Sequence, residues 1–227
     1  MGDLEYINKC MPICKKHNFI FVHIPKTGGT SIEKLLHIYN YDSRKPDMDK
    51  LHGHIPVDKS NDINNPLSLG DIYGYYLQHL TLDQIKCIIS KKECSHFTSF
   101  AFVRNPWDRL VSEYIWAYSH LEFDDFINRV CEVVRNRILL DTENVHFRPQ
   151  YEFLNSEINY ICRFEKFKQE LIKLNKVLSL NVNTSLLPHE KKSIRKHYSK
   201  YYSKKSVELI EEIYARDIDI YGYEYHY

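Results

Sequence analysis

The sequence lacks the features that mark several large protein classes. It has no apolar run near the roughly 18 residues of a membrane-spanning helix. Its first residues carry Asp3 and Glu5, unlike the basic start of a secretory signal. It has almost no net charge, because 31 Lys and Arg against 30 Asp and Glu give +1. A bulk nucleic-acid binder is therefore disfavoured, and any anion site must be local. We expect a soluble, cytoplasmic protein with no membrane segment and no nucleic acid as a partner.

Cysteine is also sparse, with six residues scattered through the chain. A chain of 227 residues buries a full core without disulfide staples. The spacing of Cys10, Cys14 and His17 could form half of a metal site, but no second ligand pair of matching spacing follows. We therefore expect reduced thiols and no metal.

What the sequence does contain is an alternation of strand and helix patterns. This order predicts an α/β fold, a single domain with a central parallel sheet flanked by helices. Ligands of such sheets bind at the carboxyl ends of the strands. Short apolar runs predict strands at residues 19–24, 97–103 and 160–164. Apolar spacing predicts helices starting at Thr30 or Ser31, at Thr81, and over residues 107–115, 122–138, 165–179 and 203–220.

The domain is placed at residues 19–227, after a polar lead-in of residues 1–18. Turn-forming residues crowd residues 40–75, which predicts a long irregular insertion. Residues 183–205 are interpreted as a basic loop. Nothing in the sequence indicates the oligomeric state, and the 18 tyrosines have no assigned function.

The first functional motif follows the strand at residues 19–24 and reads Pro25-Lys26-Thr27-Gly28-Gly29-Thr30-Ser31. Its two glycines let the backbone approach an oxyanion, and a helix start directs N–H groups and a positive dipole end at it. Lys26 and three hydroxyls, those of Thr27, Thr30 and Ser31, add donors. The motif is not a Walker loop, because its lysine precedes the glycines. The alternative is a plain Gly-Gly turn beside an exposed lysine.

The second motif follows the strand at residues 97–103. Arg104 leaves that strand with a guanidinium group suited to a phosphate. Pro106 suits the start of a helix, and Ser112, about two turns along it, can reach the same anion. The alternative is a surface ion pair of Asp108 with Arg104 or Arg109, which would contribute little. Two anion sites at two strand ends favour a nucleotide with phosphates at both ends.

In their order and spacing, residues 21–31 and 102–114 resemble the sulfotransferases that use 3′-phosphoadenosine 5′-phosphosulfate (PAPS), especially the carbohydrate-type branch and its short soluble relatives. The resemblance covers roughly residues 19–224 and implies a P-loop-type domain. It assigns the 5′-phosphosulfate to residues 26–31 and the 3′-phosphate to Arg104 and Ser112. Further similar segments are Gln78-His79-Leu80-Thr81, Pro149-Gln150, Arg163-Phe164-Glu165 and Tyr201-Tyr202.

A loop that closes over the nucleotide in this family often reads Asn-Lys-Ser. The chain has Lys191 in place of the asparagine, whereas Lys192 and Ser193 match. The resemblance therefore implies that Lys192 and Ser193 bind the nucleotide.

The resemblance also implies a mechanism for sulfuryl transfer. Lys26 binds the bridging oxygen and stabilises the leaving phosphate, and no metal is required. The acceptor hydroxyl needs a general base, for which an imidazole suits neutral pH. We expect His79, which lies where the family places such a histidine. The other candidates are His52, His54 and an acidic residue such as Glu33, whereas His23, inside a strand, is interpreted as structural.

The acceptor is expected to be a carbohydrate hydroxyl. We expect His54, Gln150 and the insertion at residues 40–75 to line its cleft. Residues 191–205 carry seven positive charges and no acid. This segment would bind PAPS or an anionic glycan; the alternative is a solvated basic loop. The alternatives are sulfuryl transfer to a phenol or another non-carbohydrate, a P-loop kinase-like phosphotransferase, and a non-catalytic nucleotide-binding protein. After transfer the product nucleotide would be adenosine 3′,5′-bisphosphate (PAP).

Overall fold

The structure is a computed structural model that describes residues 13–14, 17–35, 79–88, 94–138, 144–155, 157–180 and 195–227. The predicted insertion at residues 40–75 lies outside these residues. So do residues 183–194 of the predicted basic loop.

The described strands form one sheet in the order β1-β2-β3-β4. Strand β2 pairs in parallel with β3, and β3 pairs in parallel with β4. This arrangement confirms the predicted α/β class with a central parallel sheet. The short β1 runs antiparallel to β2, so the sheet begins within the segment that we assigned to the polar lead-in. The strands are β1 (Ile13–Cys14), β2 (Phe19–Val22), β3 (Thr98–Val103) and β4 (Tyr160–Arg163).

Seven α-helices lie among the described residues, and each predicted helix has a counterpart. The predicted tail helix is two helices, which meet at Tyr214. The helices are α1 (Gly29–Leu35), α2 (Leu82–Ile88), α3 (Pro106–Glu113), α4 (Phe123–Arg135), α5 (Phe167–Val177), α6 (Lys204–Ile213) and α7 (Ala215–Tyr221). Helix α3 continues into a π-helical turn, Tyr114–Tyr118.

Side-chain caps fix where the helices begin. Thr81 and Gln84 form a reciprocal capping box at the start of α2, in which each side chain bonds the other residue's backbone N–H. Asn105 caps α3 by accepting from the N–H of Asp108, and Pro106 takes the first helical position as predicted. The start of α3 is therefore fixed directly at the end of β3.

Two hydrophobic cores cover the two faces of the sheet. Alternating residues of β2 and β3 point to opposite faces. Ile20 and Val22 pack in the core that contains side chains of α3, α4 and α6. Phe19 and Phe21 pack in the core that contains side chains of α1 and α5. Because β2 and β3 are parallel, their carboxyl ends meet at one edge, and both sequence motifs leave the sheet there. None of the described helices is long and apolar enough to cross a membrane.

Candidate functional site

The loop after β2 turns directly into α1. The N–H groups of Ser31 and Ile32 both donate to the carbonyl of Gly28, at 3.0 and 3.3 Å. The helix therefore begins at Gly29, and our prediction that Thr30 or Ser31 caps it is wrong. Both lie in the first turn instead, because the glycine backbone makes a tighter turn than a capping pattern assumes.

Two residues of this loop have left-handed backbone conformations. Lys26 has φ 65° and Gly28 has φ 86°. For a residue other than glycine this costs roughly 1–2 kcal/mol, and such conformations cluster at functional sites. A Cβ at Gly28 would lie 2.9 Å from the Phe167 ring, and one at Gly29 would lie 2.0 Å from Nε2 of His23. Both glycines are thus required by close packing, and Gly28 by its backbone conformation as well.

Not all of the hydroxyl groups that we expected to bind an anion are available in this loop. The hydroxyl of Thr27 donates to the carbonyl of Ile24 at 2.8 Å, and Thr27 is fully buried. It therefore shapes the turn rather than offering its proton to an anion. Thr30 and Ser31 are half-buried in the first turn of α1, and the N–H of Ser31 is already bonded to the carbonyl of Gly28.

The side chain of Lys26 lies between an acid and an aromatic ring. Its Nζ is 3.8 Å from Oε2 of Glu113, a buried carboxylate. The same Nζ lies 4.5 Å from the centroid of the Trp116 ring, within the range of a cation–π contact. Neither partner was predicted from the sequence.

Next to Lys26 the fold assembles a histidine cluster, which comprises His23, His79 and His146. The rings of His23 and His79 are 4.8 Å apart, and those of His79 and His146 are 5.1 Å apart. Nδ1 of His79 lies 2.9 Å from the carbonyl of His23. Because a carbonyl only accepts, Nδ1 carries the proton in neutral His79, and Nε2 is the basic nitrogen.

The other two histidines of the cluster are each paired with a buried carboxylate. Nδ1 of His23 lies 2.6 Å from Glu33, which is 1% exposed. This pair supports our structural interpretation of His23, and it occupies Glu33, the acidic candidate for the base. Nδ1 of His146 lies 2.9 Å from Glu113. Glu113 therefore contacts both His146 and Lys26.

Sequence reasoning missed Glu113, Trp116 and His146. Glu113 is the unspecified position between Ser112 and Tyr114 in the second motif. His146 lies four residues before Gln150. The resemblance to the family there covers only Pro149 and Gln150. No local pattern marks Glu113, because its contacts are with Lys26 and His146, which are distant in the sequence.

At the end of β3, Arg104 is buried and contacts a carboxylate, a backbone carbonyl and an aromatic ring. Its Nε and Nη2 lie 2.8 and 2.7 Å from Oδ2 of Asp108. Its Nη1 donates to the carbonyl of Lys26 at 2.8 Å, and its guanidinium stacks 4.1 Å from the Phe164 ring centroid. The Arg104–Asp108 pair that we weighed as a surface alternative therefore exists, but it is buried. The bond to Lys26 joins the two motifs directly.

Asp108 is shared between two arginines. Its Oδ1 lies 2.5 Å from Nη2 of Arg195, which follows the predicted basic loop. Burial opposes the charge of Asp108, but Arg104 and Arg195 outweigh it and hold the pKa of Asp108 below its ordinary value. Burial also lowers the pKa of Arg104, against the effect of Asp108. Glu165 also acts on the charge of Arg104, so two carboxylates face the two guanidinium groups at this strand end.

Gln150 holds the backbone of Arg104 in place. Its Oε1 accepts from the N–H of Arg104, and its Nε2 donates to the carbonyl of Arg104, both at 2.8 Å. Gln150 is fully buried, so our expectation that it lines the acceptor cleft is wrong. A side chain with both amide ends bonded to backbone and no exposed surface is a positioning residue. The next N–H, that of Asn105, donates to Glu165 at 2.7 Å.

Ser112 lies one turn beyond Asp108 on the same face of α3, as an i,i+4 neighbour, and is half-buried. The structure therefore places it along the face that meets Arg104. Four other predicted site residues lie outside the described residues: His52, His54, Lys192 and Ser193. Among the residues that the structure describes, no group of three or more His, Cys, Asp or Glu side chains could hold a metal ion.

Comparison with known proteins identifies a family. A family model described as "Sulfotransferase family" matches residues 10–224. Searches of curated proteins and of solved structures find no significant match.

Proposed function

Because the chain belongs to the sulfotransferase family, we propose that it transfers a sulfuryl group from PAPS to a carbohydrate hydroxyl and releases PAP. The observation that carries this proposal is the 2.8 Å hydrogen bond from Nη1 of Arg104 to the carbonyl of Lys26. It joins the two candidate anion sites directly, through the buried guanidinium of Arg104. A nucleotide with an anionic group at each end fits that arrangement.

The residues present fit such a donor. The left-handed backbone at Lys26 and Gly28 turns the loop across the strand end, and the first turn of α1 directs N–H groups at the same place. We assign the 5′-phosphosulfate to residues 26–31. We assign the 3′-phosphate to Arg104, with Ser112 on the adjacent helix face, and we keep Lys192 and Ser193 as proposed nucleotide ligands.

Arg104 can bind a phosphate without leaving its partners. A guanidinium has five N–H donors, and its bonds to Asp108 and Lys26 use three of them. The remaining two can point at a ligand, while Asp108 and Gln150 hold the group in place. Such preorganisation reduces the entropy that binding costs.

In the proposed reaction, the sulfur–oxygen bond to the donor phosphate breaks and a sulfur–oxygen bond to the acceptor forms. Lys26 stabilises the negative charge that develops on the leaving phosphate. The acceptor proton passes to a base, for which we propose Nε2 of His79. The bond between Nδ1 of His79 and the carbonyl of His23 supports this role, because it fixes the tautomer and the ring orientation.

His146 is the second candidate base, and one observation favours it. Its Nδ1 bonds the buried carboxylate of Glu113 at 2.9 Å, which orients the ring and stabilises an imidazolium that forms after proton transfer. The His79 and His146 rings lie 5.1 Å apart, so an acceptor hydroxyl at one is close to the other.

A transfer screen tests the function. The protein is incubated with PAPS carrying labelled sulfate and with panels of glycans, phenols, lipids and peptides. We expect label on a glycan with wild type and much less with Lys26→Met, which keeps most of the side-chain length but not the charge. Label only on a phenol or another non-carbohydrate would overturn the acceptor assignment. PAP binding without transfer to any panel would favour a non-catalytic protein, and ATP turnover with magnesium would favour a phosphotransferase.

A further inference from the structure

Trp116 differs from the other tryptophan of the chain in its exposure. The sequence has two tryptophans; Trp107 is 1% exposed and packs in the core, whereas Trp116 is 61% exposed. Trp116 lies in the π-helical turn Tyr114–Tyr118 that extends α3. Such turns are rare and frequently occur at functional sites. The exposed indole beside Lys26 is therefore accessible to a substrate.

The Trp116 ring contacts two residues of the candidate site, Lys26 and His146. Nζ of Lys26 lies 4.5 Å from its centroid. The His146 ring stacks on it at 5.4 Å between centroids and 27° between planes. His146 is itself held by Glu113 at 2.9 Å. The orientation of the indole is therefore set by the same carboxylate that contacts the lysine.

The chemistry of this surface suits a pyranose ring. A sugar ring has a face of C–H groups, which packs on an indole, and an edge of hydroxyl groups, which need polar partners. Trp116 supplies an apolar surface for the C–H face. His146 and His79, whose rings lie 5.1 Å apart, supply polar partners for the hydroxyl groups. A flat phenol gains most in an enclosed apolar pocket, whereas the ring neighbours here are a cation and an imidazole.

We propose that Trp116 is the acceptor platform, on which one pyranose ring of the acceptor stacks so that a hydroxyl meets the histidine cluster. This inference rests on the proposed function and names its substrate class and a specificity-determining residue. Glu113 acts as a positioning residue, because it orients the imidazole that supports the indole.

The two tryptophans make the test direct. Acrylamide quenches exposed indoles, so the difference in quenching between wild type and Trp116→Phe isolates the signal of Trp116. With PAP present, we titrate lactose and an unsulfated hyaluronan tetrasaccharide, one neutral and one acidic probe. We expect at least one of them to protect Trp116 from the quencher in wild type. The same sugar should produce no change in Trp116→Phe.

Kinetics then separate this role from a structural one. Trp116→Ala should raise the KM for the sugar acceptor about three- to tenfold, the usual contribution of a stacked ring. It should leave kcat within about twofold, and Trp116→Phe should restore part of the loss. PAP affinity measured by calorimetry should stay within about twofold of wild type.

The inference alone would be overturned by no protection by either sugar, or by an unchanged KM for the sugar in Trp116→Ala. A raised KM for a phenol with no effect on sugars would also overturn it. If wild type failed to bind PAP, the proposed function itself would fail, and the calorimetric control distinguishes that outcome.

Discussion

The two strand ends that form the candidate site are held in different ways. At the end of β3, Arg104 is fixed by Asp108, by Gln150 on its backbone and by the Phe164 ring. At the end of β2, Nζ of Lys26 lies 3.8 Å from Oε2 of Glu113 and 4.5 Å from the centroid of the Trp116 ring. The contact between cation and carboxylate is therefore short at the β3 end, 2.7 Å between Arg104 and Asp108, and longer at the β2 end.

This difference matches what each end is proposed to do. A 3′-phosphate stays bound through the reaction and needs a fixed partner. The oxygen of the leaving phosphate gains charge only during transfer, and a flexible ammonium group can follow it. The comparison therefore predicts that substitutions at the β3 end act on stability, and that substitutions at the β2 end act on turnover.

The largest effect is expected for Arg104→Ala. Removing this guanidinium leaves the half-buried carboxylate of Asp108 with Arg195 and without Arg104. It also removes the bond to the carbonyl of Lys26. Breaking a buried pair from one side typically costs about 3–5 kcal/mol, which urea unfolding would measure. Arg104→Lys keeps the charge and should lose less. An Arg104→Ala protein as stable as wild type would show that this strand end is not preorganised.

Lys26→Met is expected to affect turnover instead. Removing the cation that stabilises the leaving phosphate should lower kcat about 10²–10³-fold. The free energy of unfolding should change by less than in Arg104→Ala, because the 3.8 Å contact with Glu113 is long and His146 still contacts that carboxylate. Kinetics and urea unfolding on the same preparation test both statements. A loss of stability that explains the loss of activity would remove the contrast between the two ends.

The histidine cluster provides a sharper test within the β2 end. We expect His79→Ala to lower kcat by about 10²-fold or more and to remove the acid limb of the pH–rate profile. His146→Ala should lower kcat by about tenfold and keep that limb. If the two variants exchanged these effects, the base would be His146, oriented by Glu113.

Asp108→Asn gives the smallest expected effect, and it depends on pH. The pKa of Asp108 is lowered in the folded protein, so its charged form contributes stability above the ordinary carboxyl pKa. That contribution is lost as the pH falls through the folded pKa. Asp108→Asn should thus be less stable than wild type by about 1.5–3 kcal/mol at pH 7. The gap should narrow below about pH 4, as acid and urea unfolding would measure. A gap that is constant with pH would contradict the charge-based account.

The sequence predicted the parts of this site that are local in the chain. A buried strand followed by Lys26, Gly28 and Gly29 marked the loop, and a strand followed by Arg104 and Pro106 marked the second motif. Both predictions depend on neighbouring residues, and parallel pairing then brings the strand ends together. The fold class followed from the same alternation of elements.

The parts that the sequence did not predict depend on long-range contacts. The histidine cluster joins residues 23, 79 and 146, and the bond between His79 and His23 spans 56 positions. Gln150 was assigned to the acceptor cleft because its place in a familiar segment did not reveal that it bonds Arg104, 46 positions away. The residue pattern predicts Thr30 or Ser31 as the cap, because it does not show the positive φ of Gly28.

The central claim is that both strand ends bind one nucleotide, and calorimetry with three ligands tests it most directly. PAP carries both phosphates, whereas 5′-AMP and 3′-AMP each carry one. We predict that wild type binds PAP at least tenfold more tightly than either, since each phosphate adds charged hydrogen bonds, and that Arg104→Lys loses this advantage over 5′-AMP. Equal affinity for PAP and 5′-AMP, or no binding of PAP, would contradict the account.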